Sequence, residues 1–325
     1  MFEQELRRHP DRSKVAYVLL RIQNRFRWGF ESGISLKSAK KNKPSAYQHP
    51  NEIDAYLARE VALGRVAGPF TPPPPDEALH VSSFGVIPKK GQPGKWRFIV
   101  DLSSRWGHSV NDGIDPQTLS LQYIKMDDVL CMVAGLGKGA LLAKFDVENA
   151  YRNVPVHPDD RAKLGMKWRK QLYVDLMLPF GLRSAPFIFD SIAEVVEWIL
   201  TTNYSITDLL HYLDDFLTAG PPKSQICARN LSKSMNVCAR LGLPLHPQKC
   251  VGPTTCLVML GIEIDTASQI ARLPEDKFSA IWQLLIQWRQ KKWCKKRELQ
   301  SLIGHLHHAC VQGCLAGTNI PSPND

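Results

Sequence analysis

The chain has 325 residues, 44% of them hydrophobic and 22% charged, with a formal charge of +10. That length and balance support a large buried core in more than one domain or subdomain, and they exclude a small stapled scaffold and disorder of the whole chain. No apolar run approaches the roughly 20 residues of a membrane span, and the first ten residues are charged rather than signal-like, so an intracellular protein with no membrane partner and an anionic ligand is expected.

The positive charge is uneven. Residues 1–45 carry eleven Lys or Arg against four acids, and a second cluster is Arg289, Lys291, Lys292, Lys295, Lys296 and Arg297. Both blocks suit phosphate backbones, and a solvated basic face explains them equally on charge alone. Residues 1–45 read as a basic extension with one amphipathic stretch over 15–26. A helix is expected over 50–64, where Ile53, Tyr56, Leu57 and Val61 recur at helical spacing after a His49-Pro50-Asn51 start. Pro69 and Pro72 to Pro75 then form a stiff extended connector and a boundary.

Residues 83–87 and 96–100 read as two strands of a hairpin with a basic, glycine-containing tip over 88–95. Such a tip suits nucleotide phosphates, with Lys89 or Lys90 and Arg97 as cations; by itself it is as well a solvated turn. A buried run over 140–145 ends on Asp146, which in isolation would be a cap or turn residue. Leu178-Pro179-Phe180-Gly181-Leu182 precedes a helix expected over 184–200, and a glycine at that place lets backbone approach a ligand closely.

Tyr212-Leu213-Asp214-Asp215 carries the most information. Two adjacent carboxylates lie within an apolar run that is closed by Gly220-Pro221-Pro222, the pattern of a buried strand or tight hairpin. Two buried, unpaired aspartates would cost several kcal/mol, so cations are expected to meet them, divalent metal above all, with Asp146 as the third carboxylate. A helix over 224–241 follows, then a hairpin over 257–264 and two helical stripes, Ile281, Leu284, Leu285 and Trp288 in one and Leu299, Leu302, Ile303 and Leu306 in the other. The eight cysteines form no CxxC pair, so disulfides are not expected. His305, His307, His308, Cys310 and Cys314 lack a second spaced cysteine pair upstream, and a helix with an unstructured end is expected there rather than zinc.

The order of these pieces resembles the palm of a template-directed polymerase. From about Ser82 to Cys310 the chain is similar to the reverse transcriptases of retroelements, most of all to those of DIRS-type retrotransposons. Four stretches carry that likeness: Asp54-Ala55-Tyr56-Leu57 through Gly64-Arg65-Val66; Asp101-Leu102-Ser103 with Ser109-Val110-Asn111-Asp112-Gly113; Leu178 through Pro186; and Arg297 through Gly304. The resemblance implies an α+β right-hand polymerase fold: a basic extension and connector over 1–75, fingers and palm over 76–265, a partial thumb over 266–312 and a disordered tail over 313–325. It implies RNA-directed DNA polymerisation from deoxynucleoside triphosphates on an RNA template and DNA primer, with two magnesium ions, manganese as a substitute, and other retroelement proteins as partners.

The family's roles map onto this chain residue by residue. Asp146, Asp214 and Asp215 would be catalytic and hold the metals, with the Val147 carbonyl as a further ligand. Lys89, Lys90 and Arg97 would be fingertip cations; Phe180, Gly181 and Arg183 would form the nucleotide-pocket turn. Tyr151, five positions after Asp146, would exclude a 2′-hydroxyl, with a core tyrosine as the plain alternative. Lys249 would protonate the pyrophosphate, or be a surface lysine. Tyr212, Met259, Leu260, Gly261, Trp288, Arg289 and Lys292 would contact primer and template. The chain stops at Asp325 without a ribonuclease H segment, so RNA degradation is not expected and a truncated copy is. A catalytically idle remnant that only binds nucleic acid is the competing reading; an RNA-directed RNA polymerase is disfavoured by Tyr151 and by Leu213.

Overall fold

Apolar spacing along this chain changes repeatedly between helical and strand periods, and the fold follows it. The computed structural model describes residues 1–31, 33–70, 79–89, 91–104, 106–311 and 318–320. They fall into two compact units, one made of residues 1–122 and 149–195, the other of 123–148 and 196–325.

In the first unit, helix Arg12–Asn24 starts where the Asp11 carboxylate accepts the Lys14 amide, and it buries Val15 and Val18. The basic N-terminal stretch is thereby anchored to this unit by a few side chains: Leu6, Phe26 and Trp28 are buried too, and Phe26 bridges to Val156. Helix Pro50–Ala62 has proline at its first turn, where no amide hydrogen is needed, and it buries Ile53, Leu57 and Glu60. Strands Ser83–Pro88 and Trp96–Asp101 pair antiparallel from Ser83 opposite Asp101 to Pro88 opposite Trp96, the expected hairpin. A three-stranded sheet orders Val66–Phe70, Gln171–Asp175 and Gly165–Trp168. Helix, hairpin and sheet close over one apolar cluster that includes Ile53, Leu57, Phe84, Met166 and Trp168. The proline run over 72–75 and Lys90 lie outside the described residues.

The second unit is built on a four-stranded antiparallel sheet in the order Leu209–Tyr212, Asp215–Gly220, Leu141–Asp146, Val251–Thr254. Helix Ile226–Leu241 covers it with Cys227, Asn230, Ser234, Val237 and Cys238, one face at helical spacing. The helix packs so closely that a Cβ on Gly220 would lie 2.7 Å from the Cys227 nitrogen. A second sheet begins with the hairpin of Cys256–Met259 and Ile262–Asp265, in which Leu260 and Gly261 turn at φ +49° and +81°. Helix Met126–Leu136, helix Glu275–Arg289 and this hairpin share a core with Leu142, Leu217 and Ala219.

Candidate active site

The three aspartates meet through strand register. Asp146 ends its strand directly opposite Asp215, and Asp215 pairs on its other side with Tyr212. Between Tyr212 and Asp215 the chain reverses in two residues, Leu213 and Asp214. Leu213 sits at φ +54°, a left-handed conformation that costs a side-chain-bearing residue about 1–2 kcal/mol. The strain accompanies a tie across the site, because the Val147 amide donates to the Asp214 carbonyl at 2.9 Å. The Asp146 carbonyl in turn accepts the His246 amide at 2.9 Å, and Val147 bridges to Leu245.

These carboxylates repel one another in a desolvated place. Asp146 is buried, while Asp214 and Asp215 are half-buried. Burial, then the charges of Asp146 and Asp214, push Asp215 up to about 6; burial is also the main cause of a raised Asp214. The cation facing them is Lys249, whose Nζ donates to Asp146 Oδ2 at 2.7 Å. Burial disfavours the charge of that ammonium, but the bond to Asp146 and the charges of Asp146, Asp215 and Asp214 together outweigh it and raise the lysine's pKa.

Among the described residues, no three His, Cys, Asp or Glu side chains are already converged as a metal-holding set. The donor chemistry nevertheless fits a hard divalent cation: adjacent carboxylates, partly open to solvent, carry negative charge that Lys144 and Lys249 do not fully offset, since Asp215 stays raised.

Around this centre in the same unit, the Tyr212 ring packs on Tyr123 at 4.8 Å. His211 pairs with Glu197 and stacks on Phe216, a support under the Asp-Asp turn that sequence spacing did not disclose. Met259 is buried below the Leu260-Gly261 turn, whose Gly261 carbonyl accepts Lys277 Nζ at 3.1 Å. Lys144 Nζ reaches the Val258 carbonyl at 3.1 Å, which ties that hairpin to the aspartate-bearing strand. Trp288 is half-buried with Lys291 over its ring, and Arg289 and Lys292 are exposed.

The other unit brings together a separate set. Lys89 is exposed at the hairpin tip, where its amide donates to the Lys95 carbonyl at 2.8 Å; Arg97 is exposed opposite Ile87. The Tyr151 ring lies 5.3 Å from Phe180 and 5.9 Å from Phe189. Gly181 turns at φ +91°, a conformation that favours glycine. Asn111, buried, grips that turn with both ends of its amide: Nδ2 donates to the Gly181 carbonyl at 2.9 Å, and Oδ1 accepts the Arg183 amide at 2.8 Å. Nδ2 also reaches Ser103 Oγ at 2.8 Å, so stretches of sequence far apart in the chain meet at one side chain. One guanidinium nitrogen of Arg183 is engaged with the Ile114 carbonyl at 2.8 Å.

Sequence spacing also missed a buried ionic group beside Tyr151. Arg152 binds Glu60 and Asp175, 92 and 23 residues away, and nothing local marks such a pairing. His305, which the sequence set aside as a zinc ligand, bonds the Ser301 carbonyl through Nδ1 at 2.7 Å.

Comparison with known proteins identifies the family and the fold. The family model described as reverse transcriptase (RNA-dependent DNA polymerase) matches residues 87–264, over half of the chain. The chain is 23% identical over 214 residues to the retrovirus-related Pol polyprotein from transposon 412 of Drosophila melanogaster, covering 65% of this chain and 16% of that protein. It is 25% identical over 168 residues to Protein P of Heron hepatitis B virus, covering 50% of this chain and 20% of that one. The chain thus spans a fifth or less of the length of these curated relatives. Among solved structures, the foamy viral protease-reverse transcriptase in complex with RNA/DNA hybrid superposes with a TM-score of 0.65 at 16% identity, covering 95% of this chain and 40% of that one. The same protein with double-stranded DNA gives 0.60 at 17% identity over 95% of this chain and 61% of that one. The fold is therefore the α+β right-hand polymerase fold that the sequence leads one to expect, and the chain belongs to the reverse transcriptase family.

Proposed function

We propose that this chain is an RNA-directed DNA polymerase of a retrotransposon, transferring a nucleotidyl group from a deoxynucleoside triphosphate to a primer 3′-hydroxyl on an RNA template. The carrying observation is the register that sets Asp146 against Asp215 at the strand end beside the Asp214 turn. The four sequence stretches quoted above support the finer reading of a DIRS-type element.

Asp146 and Asp214 would hold two magnesium ions, with Asp215 and the Val147 carbonyl assisting. When bound, the ions would supply positive charge that activates the primer hydroxyl and stabilises the leaving pyrophosphate. Lys249, kept protonated by its carboxylate neighbours, has a proton to give to that pyrophosphate. Tyr151 packed on Phe180 would present its ring to the sugar and disfavour a 2′-hydroxyl. Lys89, Arg97 and Arg183 offer cations for phosphates, and the Leu260-Gly261 turn is suited to the primer end.

Primer extension on an RNA template with magnesium tests this, with Asp214→Asn as the control and deoxy- or ribonucleotides supplied in parallel. Extension by the wild type that is lost in Asp214→Asn is expected. Salt-dependent nucleic-acid binding without synthesis would overturn the enzymatic reading in favour of a binding-only remnant.

A further inference from the structure

The Arg152 guanidinium is enclosed in the first unit, its side chain 4% exposed. Nε and Nη2 donate to Glu60 Oε2 at 3.2 and 2.9 Å, and Nη1 donates to Asp175 Oδ1 at 2.6 Å. The three charges come from three elements. Glu60 belongs to helix Pro50–Ala62, Asp175 ends strand Gln171–Asp175, and Arg152 lies in the single 3-10 turn Ala150–Asn153. Burial works against the arginine's charge, but its surroundings, the Asp175 and Glu60 carboxylates among them, together overcome it, so the group stays protonated.

Such a triad is a poor way to gain stability, because desolvating the charges offsets much of their attraction and an apolar trio would pack as well. What it supplies is direction. The planar fork of a guanidinium fixes the angle between two carboxylates, which the point charge of a lysine does not.

The segments so fixed are the two that bring Tyr151 and Phe180 together. Tyr151 precedes Arg152 in the same turn, and Phe180 follows Asp175 by five residues on the segment leaving the strand. Those segments run side by side between the two points: Pro155 bridges to Met177, and the Leu178 amide donates to the Val154 carbonyl at 2.9 Å. Asn111 holds the far end of the second segment at Gly181. One buried cation therefore sets the spacing at the root of a ring pair whose centroids are 5.3 Å apart.

We infer that Arg152, held by Glu60 and Asp175, is the positioning residue for sugar selection, fixing the Tyr151 ring against Phe180 as a rigid wall toward the 2′ position of the incoming nucleotide. The inference rests on the reading of Tyr151 as the sugar gate. A loosened ring admits ribonucleotides without removing the ring, so the deoxy-to-ribo ratio of kcat/KM is the readout, with thermal unfolding as the control for mere destabilisation.

Arg152→Lys keeps the charge and removes the fork. It is expected to lower the ratio about tenfold, on the scale by which small misplacements of a positioning group alter rates. Tyr151→Ala should lower it further, and adding Arg152→Lys to Tyr151→Ala should change nothing more. A folded Arg152→Lys enzyme with the wild-type ratio would overturn the inference. If Tyr151→Ala leaves the ratio unchanged, the gate reading fails, and the positioning claim is judged separately by fluorine NMR of 3-fluorotyrosine at position 151. A shifted, broadened resonance in Arg152→Lys supports it; an unchanged resonance overturns it. Should Arg152→Lys not fold, Glu60→Gln retains an oxygen for the fork and is read by the same two measurements.

Discussion

Each unit of this molecule contains a cluster of acidic side chains, and the two are built on opposite electrostatic plans. In the first, Glu60 and Asp175 are sealed from water and share one guanidinium that satisfies them through three hydrogen bonds. In the second, Asp146, Asp214 and Asp215 are brought side by side by strand register, with Asp214 and Asp215 left partly open, and the one lysine bonded to them, Lys249 on Asp146, has a side chain that is 54% exposed. The first cluster carries its own counter-charge. The second leaves part of its charge uncompensated, which gives an incoming cation something to neutralise. Swapping charge for an uncharged isostere should therefore have opposite consequences in the two places.

The largest effect is on catalysis. Asp146→Asn or Asp214→Asn is expected to lower the rate of primer extension by about a thousandfold or more, the scale of several kcal/mol of lost charge stabilisation. Single-turnover extension in magnesium measures it. The next largest is on stability. Arg152→Ala strands the buried Asp175 carboxylate and leaves Glu60 only the exposed Arg59, and should destabilise the fold by about 3–5 kcal/mol, seen in urea unfolding. Asp215→Asn, in contrast, should raise the melting temperature of the metal-free protein near neutral pH by a few degrees. Destabilisation by Asp215→Asn without metal would break the contrast.

The legibility of these two clusters from sequence differs for the same physical reason. Asp214 and Asp215 are visible because charge within a short apolar run is a local anomaly, and Asp146 because a strand pattern ends on it; register then had only to bring them together. Hairpins at Ser83–Pro88 with Trp96–Asp101 and at Cys256–Met259 with Ile262–Asp265 were legible from alternation and glycine turns. The Arg152 triad leaves no local trace, since an arginine beside a tyrosine in a polar segment looks solvated until its partners at 60 and 175 arrive. The N-terminal stretch reads as a basic extension because its anchors Leu6, Val15, Val18, Phe26 and Trp28 are sparse among cations, yet those few anchor it to the first unit. The small sheet formed by Val66–Phe70, Gln171–Asp175 and Gly165–Trp168 was missed because its strands are only four or five residues long, and because Val66–Phe70 lies about a hundred residues from its partner.

A pH series sharpens the contrast further. The folded-state pKa of Asp215 is raised from 3.8 to about 6, so within that window the folded chain holds a proton that the unfolded chain has lost. The contribution of Asp215 to the stability of the metal-free protein is then greatest below the window and falls as pH rises through it. Magnesium should restore it at the upper end, because a cation offsets both the desolvation and the repulsion that raised the pKa. Melting curves at several pH values, with magnesium and with chelator, measure both slopes, and a metal-free protein that gains stability over this window would contradict the assignment.

The smallest expected effect concerns Lys249, a cation that acts on all three aspartates. Its charge lowers the pKa of Asp214 and of Asp215 and it occupies Asp146 Oδ2, so it stabilises the metal-free site and competes with metal for an oxygen. Its side chain is more exposed than buried, and pairs of that kind contribute about 1 kcal/mol or less to stability. Lys249→Met should therefore barely move the metal-free melting temperature, shift the Asp215 titration upward, and tighten magnesium binding about fivefold, as read by calorimetry in the absence of nucleotide. Weakened magnesium binding in that variant would mean that Lys249 orders the aspartates rather than competing for them, and the second cluster would then share more of the first one's design than its exposure suggests.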